Sequence, residues 1–306
     1  MQLDWLEWSN PVAIWWVFLV LVSVGNIGLF LALAARFRAA SVARRRSSAA
    51  WTIEPLLLLA AAYVFGCAFR AVLPRADVLR ICLFDTSLSS VLVGRSVATA
   101  AEISFVAQWA IVLYALAHDG GSDTARKIAK TIVPLVLLAE GCSWYAVITT
   151  DYLGNVVENS LWTAIFLLVG IALVRLFARY RGAAQFAIAA ALAGIAGYVV
   201  FMCTVNVPMY IVRWQAELAG GQQLLGLVAG FHDLATRWIV TRNIAAWDDE
   251  IAWMSLYFSV AVWASLLLAG FGLVRHLVPR YLVSRPQRKP APGAIAVPVR
   301  SAPRLP

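Results

Sequence analysis

GRSVATAAEISFVAQWAIVLYALAHD, residues 94–119, decides the fold. Between Arg95 and His118 this stretch carries one charge, Glu102, in an otherwise apolar or neutral run. A core helix of a soluble domain has no need of such length, whereas a bilayer crossing takes about 20 apolar residues. Arg95, Thr99 and Glu102 follow at spacings of four and three, which puts them on one helix face. At the helical rise, Glu102 sits about ten Å below the membrane edge. A carboxylate at that depth costs several kcal/mol unless it is paired or protonated. Its expected partner is Arg70 from the preceding run, with Arg95 as the alternative.

Six further runs resemble it: 12–35, 52–73, 131–150, 160–178, 184–207 and 251–274, with this one spanning 96–117. The 306-residue chain is 62% hydrophobic and 13% charged, where a soluble domain would carry roughly a quarter charged residues. The expected fold class is therefore all-α: a polytopic membrane protein built as a bundle of seven transmembrane helices. The short alternating segments of a β-barrel are missing. The fifth run is short, and Arg175 and Arg179 at its end can snorkel to the interface. The opening MQLDWLEWSNP holds Asp4 and Glu7 but no basic n-region, so the first run is expected to remain as an anchor. Residues 1–280 form the membrane domain, and the basic, Pro-rich tail 281–306 is expected to be disordered. Small residues in AIAAALAGIAG (187–197) favour close helix packing.

Charge sets the expected orientation. Segments 36–50, 118–130 and 175–185 with the tail from 275 hold 18 of the 25 Lys and Arg residues, so these face the cytoplasm. The N-terminus is then outside and the C-terminus inside, with net charge near +15 inside and −6 outside. The basic balance reports topology and anionic lipid, not nucleic acid. Abundant alanine and the preference for Arg over Lys point to a GC-rich bacterial genome, hence a bacterial cytoplasmic (inner) membrane. Cys67, Cys82, Cys142 and Cys203 lack metal-ligand spacing, and only Cys82 falls in a loop. Three buried thiols are expected to act as small apolar residues.

The fourth run repeats the logic of the third. Glu140, Ser143, Trp144, Val147 and Asp151 form one helical stripe running from mid-membrane to the outer mouth, followed by a short turn with Asn155, Glu158 and Asn159. Asn206 is expected to cap the outer end of the sixth run. Glu250, Trp253 and Tyr257 share a face of the seventh, with Asp248 and Asp249 solvated and Trp247 and Trp253 suited to an interfacial belt. In the outer loop 208–250, Leu224, Leu227, Val228, Phe231, Leu234, Ala235 and Trp238 recur at helical spacing. This reads as an amphipathic interfacial helix, resting on lipid or folded over the bundle.

The expected site is a pocket open to the outer side. Glu102, Glu140, His232 and Asp233 are its candidate catalytic groups, with His232 oriented by Asp233 or Asp151. Arg70, Arg95, Ser143, Trp144, Asp151, Asn155, Glu158, Asn206 and Tyr257 are candidates for binding substrate, the arginines through planar forks suited to phosphate or carboxylate. The seventh run has no lysine for a retinal Schiff base. No histidines lie within spans for bis-His haem, and no nucleotide or metalloprotease motif is present. A carboxylate site for Mg²⁺, Mn²⁺ or Ca²⁺ is compatible with the residues; the sequence names no cofactor and no oligomeric state.

Three function classes remain. An enzyme acting on a lipid or lipid-linked anionic substrate comes first. A transporter or proton-coupled carrier comes second, because the inner halves of the spans hold almost no ionisable residue except Glu54. A ligand-binding or assembly protein comes third. The plain alternative to any pocket is a set of ion pairs that locks the bundle.

Overall fold

The computed structural model describes residues 10–43, 53–221 and 223–277. The tail 281–306, the N-terminal Asp4 and Glu7, the arginines 44–46 and the side chains of Glu54 and His276 lie outside the described residues. Among the described residues, seven helices are long and apolar enough to cross a membrane, which supports an integral multi-pass membrane protein. The first five are α1 (Pro11–Ala43), α2 (Ile53–Val72), α3 (Val91–Gly120), α4 (Asp123–Thr149) and α5 (Tyr152–Phe177). The sixth joins α6 (Gly182–Phe201) to α7 (Val207–Gly220) through a π-helical turn at Met202–Asn206. A separate helix, α8 (Leu227–Thr236), precedes the seventh, which joins α9 (Asp248–Leu256) to α10 (Val262–Leu277) through a second π turn at Tyr257–Ala261.

Helices α1 to α5 pack in chain order, and α10 returns to lie against α2, α3 and α1. Tight turns enforce this. Gly121, at φ 67°, ends α3, and the Ser122 hydroxyl accepts the Ala125 N–H at 3.4 Å to start α4. Thr150, at φ 63°, ends α4, and the Asp151 carboxylate accepts the Leu153 N–H at 2.9 Å. That cap starts α5 eight residues before the apolar run, so Asn155, Glu158 and Asn159 belong to a helix and not to a turn. It also makes the fifth span 26 residues long instead of short. Gly154 lets α5 approach α4, since a Cβ there would stand 2.6 Å from the Cys142 carbonyl oxygen.

Asn206 does not cap a helix. It lies within the sixth span, where Pro208 has no N–H to offer the preceding turn and a π turn takes up the mismatch. The helix then continues to Gly220. The small-residue stretch 187–197 does not pack closely either. Cβ atoms at Gly194 and Gly197 would meet nothing within 4 Å.

Two connections meet at one end of the bundle. Strands β1 (Arg75–Ala76) and β2 (Ile81–Cys82) pair antiparallel, and β3 (Ile239–Val240) joins β2 in parallel, an element the all-α expectation omits. Helix α8 lies over α3 and α4, with Leu234 buried and Gly230 set against the Ile148 carbonyl. Its Leu227, Val228 and Phe231 point away from the bundle. Cys82 is fully buried, whereas Cys142 is part-exposed and Cys203 exposed. Trp247 is also fully buried, packed on Trp15 and donating to the Thr241 carbonyl, so it is no belt residue.

Candidate functional site

Arg95, one turn into α3, is the hub. Its Nη2 lies 2.7 Å from Glu102 Oε2, 2.7 Å from Glu140 Oε2 and 3.7 Å from Glu158 Oε1. The sequence spacing joins Arg95 to Glu102, and the tight α3–α4–α5 packing adds the other two carboxylates. Arg70 reaches Glu102 Oε1 at 3.5 Å, so both expected pairings occur and the alternative one is the shorter. Tyr257, presented by the second π turn, donates its hydroxyl to Glu102 Oε1 at 2.9 Å. That turn also frees the Phe258 carbonyl, which accepts from Asn26 Nδ2 on α1 at 2.8 Å. Thr99 donates to Glu140 Oε2 at 2.6 Å and accepts from the Trp144 indole at 3.1 Å.

A neutral amide chain continues along α5. Asn155 donates to Glu158 at 3.1 Å, and Asn206 Nδ2 donates to Asn159 Oδ1 at 2.7 Å. Several buried polar atoms in the same cluster have no hydrogen-bond partner: Arg95 Nε, Glu140 Oε1, Ser143 Oγ and Asn155 Oδ1. Unsatisfied groups in such number are costly in a core and call for a partner such as water, an ion or a ligand, or for a catalytic role.

The cluster borders a cavity of about 1770 Å³. Arg70, Arg75, Asp77, Arg95, Glu102, Glu158, Arg213 and Glu250 line its charged part. Phe105, Trp109, Val112, Phe166, Leu173 and Ile188 line an apolar stretch beyond it, with Arg36, His118 and Asp119 farther along. Drug-sized ligand sites run to roughly 1,000 Å³, so this chamber suits something larger. Its wall follows α3 from Arg95 to Asp119, about 36 Å at the helical rise. On one flank α6 and α10 barely touch, and Ala187, Ala191 and Gly194 of the one and Ala264, Leu267 and Gly270 of the other line the chamber. The stacked rings of Phe201 and Trp253 bridge the two spans above it.

The structure sorts the expected site residues. Arg70, Arg95, Glu102, Ser143, Asn155, Glu158, Asn206 and Tyr257 all line the chamber. Glu140 and Trp144 stand behind it, holding Arg95 and Thr99. Asp151 caps α5 and accepts from the Tyr145 hydroxyl. His232 and Asp233 do not reach the chamber. Asp233 accepts from Arg80 at 2.8 Å and pairs with Arg237, while the exposed His232 ring meets Thr236 and is oriented by neither Asp233 nor Asp151. Asp249 is exposed, as expected, and also pairs with Arg213, whose guanidinium lies over the rings of Tyr152 and Tyr210.

Arg75 and Asp77 went unread in the sequence because neither sits in a span. They form a pair 2.8 Å apart on the chamber wall, with Arg75 buried and Asp77 partly so. Burial opposes the Asp77 charge, but Arg75, with Arg70 and Arg95 nearby, holds its carboxyl below the usual range. A depressed carboxyl stabilises the fold above its ordinary pKa of about 3.9 and ceases to do so as pH falls through the lower, native value. Thermal melting in detergent is therefore expected to show a stability loss below about pH 4 that is smaller in Asp77→Asn. Equal acid sensitivity of both proteins would remove this role.

Compared with known proteins, the chain matches no family model, no curated protein and no solved structure.

Proposed function

We propose that this chain is an integral-membrane enzyme acting on a lipid or lipid-linked anionic substrate at the extracytoplasmic face of a bacterial inner membrane. The observation that carries the reading is the division of the chamber, with a charged end around Arg70, Arg95 and Glu102, a long apolar stretch, and Arg36, His118 and Asp119 at the far end. An amphiphile fits that division, with its head among the arginines and its chain against Phe105, Trp109 and Leu173.

Arg70 suits the headgroup because its one carboxylate contact is at 3.5 Å and its guanidinium otherwise rests over Tyr257 and Phe258. Glu102 and Glu158 face the chamber and are the acid–base candidates; Glu140 is a positioning residue for Arg95. The gap between α6 and α10 is the entry route, since a lipid can pass sideways from the bilayer. The asymmetry of Lys and Arg supports a cytoplasmic C-terminus, with α8 at the outer interface and the exposed Leu227, Val228 and Phe231 toward lipid.

A carrier is the second reading, favoured by the length of the chamber along α3 toward His118 and Asp119. One experiment separates the two. Protein in nanodiscs of bacterial lipid is incubated with headgroup-labelled lipid, and products are separated by mass. A new lipid species is expected with wild type. Its rate should drop at least about 10²-fold in Glu102→Gln, the usual worth of a general acid or base. Unaltered lipid of every class would overturn the enzyme reading; label crossing vesicle leaflets unchanged would support the carrier.

A further inference from the structure

We infer that the chamber binds a divalent cation of the Mg²⁺, Mn²⁺ or Ca²⁺ type between α4 and α5, on oxygens of Glu140, Ser143, Asn155 and Glu158. Two observations carry this independently.

The first is charge and spacing. Glu102, Glu140 and Glu158 each offer an oxygen, and these oxygens lie within 4.8 Å of one another. Oxygens on opposite sides of one Ca²⁺ are about 4.6–5.2 Å apart; Glu102 is already engaged by Arg95, Arg70 and Tyr257, which leaves Glu140 and Glu158 as the carboxylates for the ion. Arg70 and Arg95 are the cations in contact with these carboxylates, which leaves one negative charge over when all three are ionised. A lone buried charge costs several kcal/mol.

The second is the set of oxygens without partners. Arg95 occupies Glu140 Oε2, but Glu140 Oε1 has no donor. Ser143 Oγ, one turn along α4, is completely buried and has no partner at hydrogen-bond geometry. Asn155 spends its amide N–H on Glu158 and leaves Oδ1 unpartnered at 7% exposure. Carboxylate, amide carbonyl and hydroxyl are hard oxygen donors, the chemistry such ions take. They come from facing turns of two tightly packed helices, and Ser143, Asn155 and Glu158 also face the chamber.

The ion would change what the chamber can hold. Three carboxylates repel an anionic headgroup, whereas a bound dication turns the excess charge from negative to positive. The inference concerns the proposed lipid site, but the ion can bind whether or not the lipid reading is right.

The test uses the purified full chain in detergent, stripped with chelator and titrated with Mn²⁺ alone while free ion is followed by paramagnetic resonance. One Mn²⁺ per chain is expected, displaced by Mg²⁺ or Ca²⁺. Asn155→Ala should weaken it about tenfold or more, while Asn155→Asp, which keeps an oxygen there, should retain it. Mg²⁺ should raise the melting temperature of wild type and leave that of Asn155→Ala unmoved. Absence of a saturable site in folded wild type would overturn the proposal. So would a site unchanged in Asn155→Ala and Ser143→Ala together. Because no lipid is present, failure here leaves the lipid experiment standing, and the reverse also holds.

Discussion

Replacing Arg95 with Met is expected to destabilise the protein by about 3–5 kcal/mol or more, the largest effect of any single substitution in the bundle. Arg95 is 6% exposed and meets Glu102, Glu140 and Glu158. Removing it leaves carboxylates from three helices facing one another with Arg70 as the remaining guanidinium in contact, at 3.5 Å from Glu102. The Arg95→Lys substitution should preserve little of this stability, since one ammonium on a flexible stem cannot reproduce the planar fork. Thermal unfolding in detergent checks this. Partial recovery in Arg95→Met combined with Glu140→Leu is expected, because the pair is then removed as a unit. If Arg95→Met melts like wild type, the cluster is not what joins α3, α4 and α5.

Arg80→Met is expected to release α8 while leaving the spans assembled. Arg80 is 2% exposed, with Nε on Asp233 at 2.8 Å, Nη1 on the Asp77 carbonyl at 2.6 Å and Nη2 on the Val147 carbonyl at 2.6 Å. It thus ties one connection, the end of α4 and α8 together, and losing charge-assisted bonds of this kind costs about 1.5–3 kcal/mol each before relaxation. Hydrogen exchange should speed up across residues 223–247 and stay slow in α3 and α4. Uniform exchange changes throughout the bundle would mean that Arg80 supports the whole fold instead.

Much of this arrangement was legible from spacing. The 95–99–102 stripe, Glu140 and the expected arginine partners all meet, because residues on one face of one helix need no tertiary knowledge to be placed together. What spacing could not show came from three sources. The Asp151 cap extends α5 backward into polar sequence, which hydropathy alone leaves out, so Glu158 was read as a turn residue. The first π turn carries the sixth span on past Asn206, which hydropathy puts at its outer end, whereas Glu250, Trp253 and Tyr257 line the chamber together as their spacing implies. Asp233 looked like a partner for His232 because they are adjacent in sequence, but a residue more than 150 positions away, Arg80, claims it. Arg80 itself adopts φ 57°, a left-handed conformation that nothing in a non-glycine side chain advertises.

On the proposed lipid reading, entry through the sideways gap between α6 and α10 has a kinetic consequence. A ligand arriving through it is drawn from the leaflet, so occupancy follows its mole percentage among the surrounding amphiphiles and not its bulk molarity. Diluting the membrane with inert detergent at constant total ligand should slow turnover in proportion, whereas adding buffer should leave the rate per chain untouched.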